Sequence, residues 1–300
     1  MEAGDRSAVG FLGLGSMGSR VVERLLAAGY EVTGWNRSPE KATALAERGM
    51  TVAASPREVA ETADVVLSMV TDTRAVEQLA DGDDGVIAGL APEAVWADMS
   101  TIAPAASVAI ATRVAEAGAA MLDAPVSGSI TTLEAGQLAI MAGGSEEAFA
   151  RAEPVFRAIG PKVSRIGDNG QALQMKVAIN LALVVQVVGF CEGVALAERG
   201  GVDRETAVEA MLASVVSSPV LQYRGPLIIE GRMPEVAFAD VNLQQKDLLL
   251  ALDLGRALGV PLPTAAASNE LLNACRGLGI DDRDFVVVAE VYRALAGMPR

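Results

Sequence analysis

Ala8-Val9-Gly10-Phe11-Leu12-Gly13-Leu14-Gly15-Ser16-Met17-Gly18 reads as a short apolar strand running into a G-x-G-x-x-G turn, and the segment Ser19 to Ala28 that follows has helical spacing and stops at Gly29. The three glycines have separate tasks. Gly13 permits a tight turn, Gly15 lets the backbone approach a pyrophosphate, and Gly18 lets the helix pack close to the strand. A pyrophosphate there would rest on the helix N-terminus, where free N–H groups and the dipole favour negative charge. Gly13, Leu14, Gly15, Ser16, Met17 and Gly18 are therefore the candidate cradle of a dinucleotide.

Beyond this motif, apolar runs recur at Glu31 to Trp35, Asp64 to Val70, Ala94 to Met99, Ala119 to Asp123 and Leu138 to Ala142, separated by Ala-rich helical stretches. Strands that alternate with helices and read as continuous apolar runs predict βαβ units in a mostly parallel sheet covered on both faces. After Gly170 the strand-like runs all but cease. Long Ala/Leu/Val/Glu segments take over, punctuated by Gly200-Gly201, Pro219, Pro226, Pro234 and Pro261-Leu262-Pro263. The predicted architecture is a Rossmann-type doubly wound α/β domain over 1–168, then an all-helical domain over 169–300, joined by a long interdomain helix.

At the end of the second strand, where a carboxylate would hold the ribose 2′-hydroxyl of NAD, the chain has Trp35-Asn36-Arg37-Ser38. An arginine fork suits a 2′-phosphate, so the expected cofactor is NADP(H), with Asn36, Arg37 and Ser38 at the adenosine end. Ligands of such sheets bind beyond the carboxyl ends of the strands, which brings in three further loops: Met69-Val70-Thr71-Asp72, Ser100-Thr101-Ile102-Ala103-Pro104 and Asp123-Ala124-Pro125-Val126-Ser127-Gly128-Ser129. The last is a nest for a carboxylate or plain turn chemistry; composition allows both.

Lys176 and Asn180, four apart, share one face of an otherwise very apolar helix that runs from about Gln171 to Glu198. Residue chemistry leaves two readings open. Lys176 is a proton donor and acceptor whose titration partial burial brings towards neutrality, or it reaches water while a neighbouring helix satisfies Asn180. Polar Asn180, Gln186 and Glu192 interrupt the apolar run, so a helix buried between domains or subunits is expected in place of a membrane span. Its length predicts an obligate homodimer, or a tetramer of such dimers.

Composition narrows the chemistry. The 300 residues contain no histidine, which excludes imidazole bases, Ser-His-Asp arrangements and His-ligated metals, and no metal site is expected. A net charge of −14 argues against nucleic acid as a partner. Two cysteines, Cys191 and Cys275, make no disulfide framework, and the N-terminus resembles neither a signal nor a transit peptide, so a reducing cytoplasm is the expected compartment.

Several motifs in order carry a resemblance over nearly the whole chain: GLGSMG at 13–18, Ser100-Thr101 with Pro104, DAPVSGS at 123–129, EAGQLAIMAGG at 134–144, Asn169-Gly170 with Lys176 and Asn180, and Gln245-Lys246-Asp247-Leu248. The chain resembles the β-hydroxyacid dehydrogenase family, which includes 3-hydroxyisobutyrate dehydrogenase and tartronate semialdehyde reductase. The resemblance implies that Lys176 is the general acid/base and Asn180 an orienting partner. It implies that Ser127, Gly128 and Ser129 hold the substrate carboxylate, with Asp247 beside the substrate, and that Thr101 and Lys246 meet the nicotinamide end. Lys246-Asp247 is also what a surface ion pair looks like. Gly128-Ser129, Ile179-Asn180, Asn36-Arg37 and Gln244-Gln245-Lys246-Asp247 are similar to the NADPH-dependent glyoxylate/succinic semialdehyde reductase branch. An imine reductase on a related scaffold would be expected to replace the lysine with another proton donor, and a nucleotide-sensing or structural protein without chemistry would keep the fold and the glycine turn.

Overall fold

A computed structural model describes residues 8–234 and 237–298. The chain divides into two compact units, one ending at Lys176 and the other beginning at Val177.

The first unit is built on a nine-stranded sheet. Its strands are β1 (Val9–Leu12), β2 (Val32–Trp35), β3 (Thr51–Val52), β4 (Val65–Ser68), β5 (Val95–Asp98), β6 (Ala120–Asp123), β7 (Val126–Ser127), β8 (Ala139–Gly143) and β9 (Lys162–Gly167). Their order is β3-β2-β1-β4-β5-β6-β8-β7, with β9 alongside β8. Pairing is parallel from β3 through to β6. β1, β4 and β5 are buried at every residue because both faces are covered. On β4, Val65 and Leu67 enter the apolar cluster that contains Val21, Val22 and Leu25 of the helix Ser16–Ala27, whereas Val66 enters the one that contains Val59, Val76 and Ile110. One strand thus feeds two layers, the doubly wound arrangement expected.

The sheet departs from the sequence reading at one edge. β8 runs antiparallel to β6 and β7, and parallel to β9. β3 and β7 are two residues long, too short to show any period, and β9 is only half-covered, so its apolar content is low. The first helix begins at Ser16, three residues before the expected Ser19, inside the glycine motif itself.

The second unit is helical. The helix Gln171–Arg199 starts in the first unit and runs into the second, followed by Arg204–Leu212, Pro219–Glu230, Val241–Leu258, Pro263–Gly277 and Val288–Leu295. Val184, Val187, Val188, Phe190, Cys191 and Val194 of the long helix enter the core of this unit. Pro226, read from sequence as a break, lies inside Pro219–Glu230. A proline deletes one backbone N–H, and the buried Leu221, Arg224 and Ile228 hold this helix together through it. Arg224 and Asp284 form an ion pair within this core at 2.9 Å, with the guanidinium stacked over Phe285 at 4.6 Å from the ring centre.

Candidate active site

The strand order reverses its direction of travel between β1 and β4, whose last residues, Leu12 and Ser68, are paired in register. Crevices outside such a switch point are where open α/β sheets receive ligands. The glycine turn lies here. Gly13 has φ +97°, and a Cβ on it would collide with the Met69 carbonyl oxygen; a Cβ on Gly18 would collide with the Gly13 carbonyl. Both glycines are required by the packing of the protein itself. Gly15 differs, because a Cβ there would meet no heavy atom within 4 Å. A glycine there leaves room for a ligand to approach the loop. Gly15 is also the N-cap of Ser16–Ala27 with no side chain capping the first turn, so backbone donors remain for an anion. The loop fits a dinucleotide pyrophosphate.

Asn36, at the end of β2, is committed to the protein: its Oδ1 accepts from Leu14 N at 2.9 Å and its Nδ2 donates to Ser38 O at 2.9 Å. It braces the glycine turn against the loop that follows β2. Arg37 next to it is exposed, and among the described residues no hydrogen bond or ion pair engages its guanidinium. Arg74, Arg199 and Arg232 likewise engage no partner among the described residues, so what distinguishes Arg37 is its position at the end of β2.

A buried polar network supports the loops after β4 and β5. Asp98 Oδ1 accepts from Ser68 Oγ at 2.7 Å and from Ser100 Oγ at 2.7 Å; Ser100 Oγ in turn accepts from Val70 N at 2.9 Å. Met69 N donates to Leu12 O at 2.9 Å. Met69 and Val70 are thereby tied both to the end of β1 and to Ser100, the neighbour of half-buried Thr101. Neither this network nor its dependence on Asp98 was visible in the sequence. The signal available was a pair of apolar strands that both end in aspartate, Asp98 and Asp123, which pair in register on β5 and β6.

The motif 123–129 divides its labour. Asp123 is buried and accepts from Gly170 N at 2.7 Å and Leu173 N at 2.9 Å, which makes it the cap of the helix that carries Lys176. Burial pushes its carboxyl up to about 6 against the pull of those two N–H donors, and Asp98 adds to the rise. Ser127 is half-buried on β7 and Gly128 has φ +139°, which exposes the backbone between two short elements. Ser129 caps the helix Ile130–Glu134, with its Oγ accepting from Thr132 N at 3.5 Å. Its hydroxyl has a structural task besides any contact with a ligand.

Lys176 is half-buried on Gln171–Arg199. In the second unit Asn180 is buried and its Nδ2 donates to Asp247 Oδ2 at 2.5 Å, while Lys246 Nζ pairs with Asp247 Oδ1 at 2.8 Å. The Lys246-Asp247 dipeptide is not a surface pair: the Asp247 side chain is 5% exposed. Gln245 donates from Nε2 to Asn269 Oδ1 at 3.0 Å and Asn273 Oδ1 at 2.7 Å, which locks the helix bearing Lys246 and Asp247 to Pro263–Gly277. Lysine is scarce in this protein. Only Lys41, Lys162, Lys176 and Lys246 occur, against 20 arginines, and the family resemblance points to two of the four, Lys176 and Lys246. Among the described residues no cluster of ligands suited to a metal ion occurs.

Comparison with known proteins identifies the family. A family profile for the NAD binding domain of 6-phosphogluconate dehydrogenase matches residues 8–167, and one for the NAD-binding of NADP-dependent 3-hydroxyisobutyrate dehydrogenase matches residues 170–292. The chain is 34% identical over 286 residues to the chloroplastic glyoxylate/succinic semialdehyde reductase 2 of Arabidopsis thaliana, covering 95% of this chain and 79% of that protein. The chain belongs to the β-hydroxyacid dehydrogenase family. A structure of Mycobacterium tuberculosis 3-hydroxyisobutyrate dehydrogenase with L-serine superposes with a TM-score of 0.86 at 28% identity, over 96% of this chain and all of that one. The cytokine-like nuclear factor N-PAC of Homo sapiens is also related, at 32% identity over 95% of this chain but 51% of its own length. As a member of the β-hydroxyacid dehydrogenase family, the chain is a nicotinamide-dependent oxidoreductase.

Proposed function

We propose that this member of the family is an NADP(H)-dependent reductase that interconverts a short aldehyde acid, such as glyoxylate or succinic semialdehyde, with its hydroxy acid. The observation that carries the cofactor preference is Arg37, exposed at the end of β2 with no carboxylate on that loop end and no partner among the described residues. Its fork is available to a 2′-phosphate. A bound reduced nicotinamide would supply the hydride, which no side chain can.

The chain's own residues do the rest. Ser127 and the backbone N–H groups of Gly128 and Ser129 hold the substrate carboxylate, and the first-turn amides of Ser16–Ala27 hold the dinucleotide pyrophosphate. Met69, Val70 and Thr101 line the nicotinamide end. Lys176 Nζ gives a proton to the carbonyl oxygen as its carbon is reduced, and takes one from the hydroxyl in oxidation. The family resemblance assigns Asn180, held by Asp247, to orienting the reacting oxygen, and Lys246 to the nicotinamide end. The likeness to the Arabidopsis thaliana reductase supports the substrate class, and the presence of Lys176 disfavours imine reduction.

The test is a panel of short aldehyde acids and hydroxy acids assayed with NADPH/NADP and NADH/NAD. A positioned acid/base group is worth about 10²–10⁴-fold, so Lys176→Ala loses that factor in kcat and keeps its affinity for NADPH. Near-full turnover of that variant would remove Lys176 from the mechanism. The likeness to N-PAC, a protein named for a nuclear role, favours one second reading: a nucleotide-binding protein without turnover. Consumption of NADPH with any member of the panel dismisses it.

The same reading includes a second copy of the chain. Met175, Ala178, Ala182, Gly189 and Leu196 are exposed along one helix, with Met175 at 44% and Leu196 at 75%. A homodimer covers such a face, and light scattering at micromolar concentration tests for it: a monomer contradicts it.

A further inference from the structure

The buried Asp123 has no place among the groups that would touch cofactor or substrate, yet it joins the two segments on which the proposed reaction depends. It is the last residue of β6, and the chain leads from it directly into the loop that reaches Ser127, Gly128 and Ser129. Its two oxygens hold Gly170 N and Leu173 N, the opening turn of the helix on which Lys176 follows three residues later. A second strap runs in parallel, since Asn169 Nδ2 donates to Met121 O on the same strand at 2.7 Å. The pocket for the carboxylate is fitted closely. A Cβ on Gly143 of the neighbouring strand would come within 2.6 Å of Asp123 Oδ1 and 2.9 Å of Oδ2. No bulkier neighbour fits at Gly143 without movement.

We propose that Asp123 is a positioning residue that sets the distance between the carboxylate-holding loop 127–129 and the amine of Lys176, by gripping the start of the lysine helix from the root of that loop. The proposal rests on the function proposed above. It differs from ordinary helix capping in its consequence. A carboxylate accepts from both amides at once, whereas a neutral carboxyl or a carboxamide has one acceptor oxygen, and its other edge presents a donor to an N–H group. Losing one grip leaves the fold in place and lets the first turn of the helix shift. Misplacement of a reacting group by about 1 Å can cost about 10²-fold in rate.

Titration makes the effect readable. The charged group that acts on Asp123 from the neighbouring strand is Asp98, and burial together with that carboxylate brings Asp123 to about 6. Loss of rate below about pH 6 reports Asp123.

The experiment compares wild type with Asp123→Asn, Asp123→Ser and Gly143→Ala, using the full chain and a short aldehyde acid with NADPH from pH 5 to 9. The expected result for Asp123→Asn is a kcat lower by about 10- to 100-fold at pH 7.5, a KM for the aldehyde acid within about 3-fold and an unchanged Kd for NADPH. Its acid limb is absent, because a carboxamide does not titrate. Gly143→Ala crowds the carboxylate without changing its chemistry, and crowds the Asp168 carbonyl oxygen at 2.8 Å as well; it gives a loss in kcat at least as large, with the acid limb retained. Asp123→Ser, which caps but reaches one amide, falls between. Should Asp123→Asn not fold, Gly143→Ala decides by the same kcat criterion. An active wild type whose Asp123→Asn and Gly143→Ala variants keep full kcat, or an acid limb that survives in Asp123→Asn, overturns this inference alone. A wild type inactive on the whole panel overturns the proposed function, and this inference with it.

Discussion

Replacing Arg37 by alanine separates the cofactor preference from every other feature of the site. The guanidinium is exposed and engages no acceptor among the described residues, so its removal breaks no internal contact and stability should stay within about 0.5 kcal/mol of wild type. Against a 2′-phosphate the same group would make charge-assisted hydrogen bonds worth about 1.5–3 kcal/mol, and at about 1.4 kcal/mol per decade this is about 10- to 100-fold in Kd. NADH, which has a hydroxyl at that position, loses none of this. Titration of each reduced cofactor by its fluorescence, at two salt concentrations, measures both affinities. NADPH should weaken by one to two decades in Arg37→Ala, with a smaller salt dependence, while NADH stays where it was. The brace made by Asn36 to Leu14 N is untouched, so a general collapse of the loop is not expected. Equal weakening of both cofactors, or no weakening of NADPH, would refute the reasoning.

Other outcomes follow from the same structure. Gly15→Ala should leave thermal stability within about 1 kcal/mol of wild type and weaken the dinucleotide, since a Cβ there meets no protein atom within 4 Å; Gly13→Ala, at φ +97°, should lower the melting temperature as well. Asp284→Ala strips the partner from an Arg224 side chain that is 3% exposed, and denaturant unfolding should show a loss of about 3–5 kcal/mol. Asp123 titrates at about 6 in the folded chain and at 3.8 when unfolded, so between those values the folded state retains the extra proton. Its contribution to stability therefore falls as pH rises through that window and is constant above it. Chemical unfolding of wild type against Asp123→Asn at pH 5 and pH 8 should show the wild type losing ground at the higher pH by about 1.4 kcal/mol, since about one unit of the shift lies above pH 5.

The parts of the fold legible in the sequence are those whose cause is local. The glycine turn is a run of six residues flanked by an apolar strand and a helix, so its reading needs no partner from elsewhere. β1, β4 and β5 were legible because burial on both faces leaves nothing but apolar side chains. β7 and β9 were not, because one is two residues long and the other is a half-covered edge. The candidate site divides in the same way. Arg37 stands at a position that the fold's own geometry makes meaningful, but Asp123 finds its amide partner Gly170 47 residues away, and Arg224 finds Asp284 60 residues away. A carboxylate's choice of a distant partner leaves no period in the chain. Lys246-Asp247 had the look of a solvated pair until the helix carrying it was placed against Asn180.

The rarity of lysine has a practical side. With four ε-amines in the chain, reagents that seek primary amines would produce few adducts, and two of the possible positions lie where the proposed chemistry occurs. Coupling through side-chain amines would begin at the exposed Lys41 and Lys162, and protection of the half-buried Lys176 by a bound ligand could be followed by mass spectrometry against those two as internal standards.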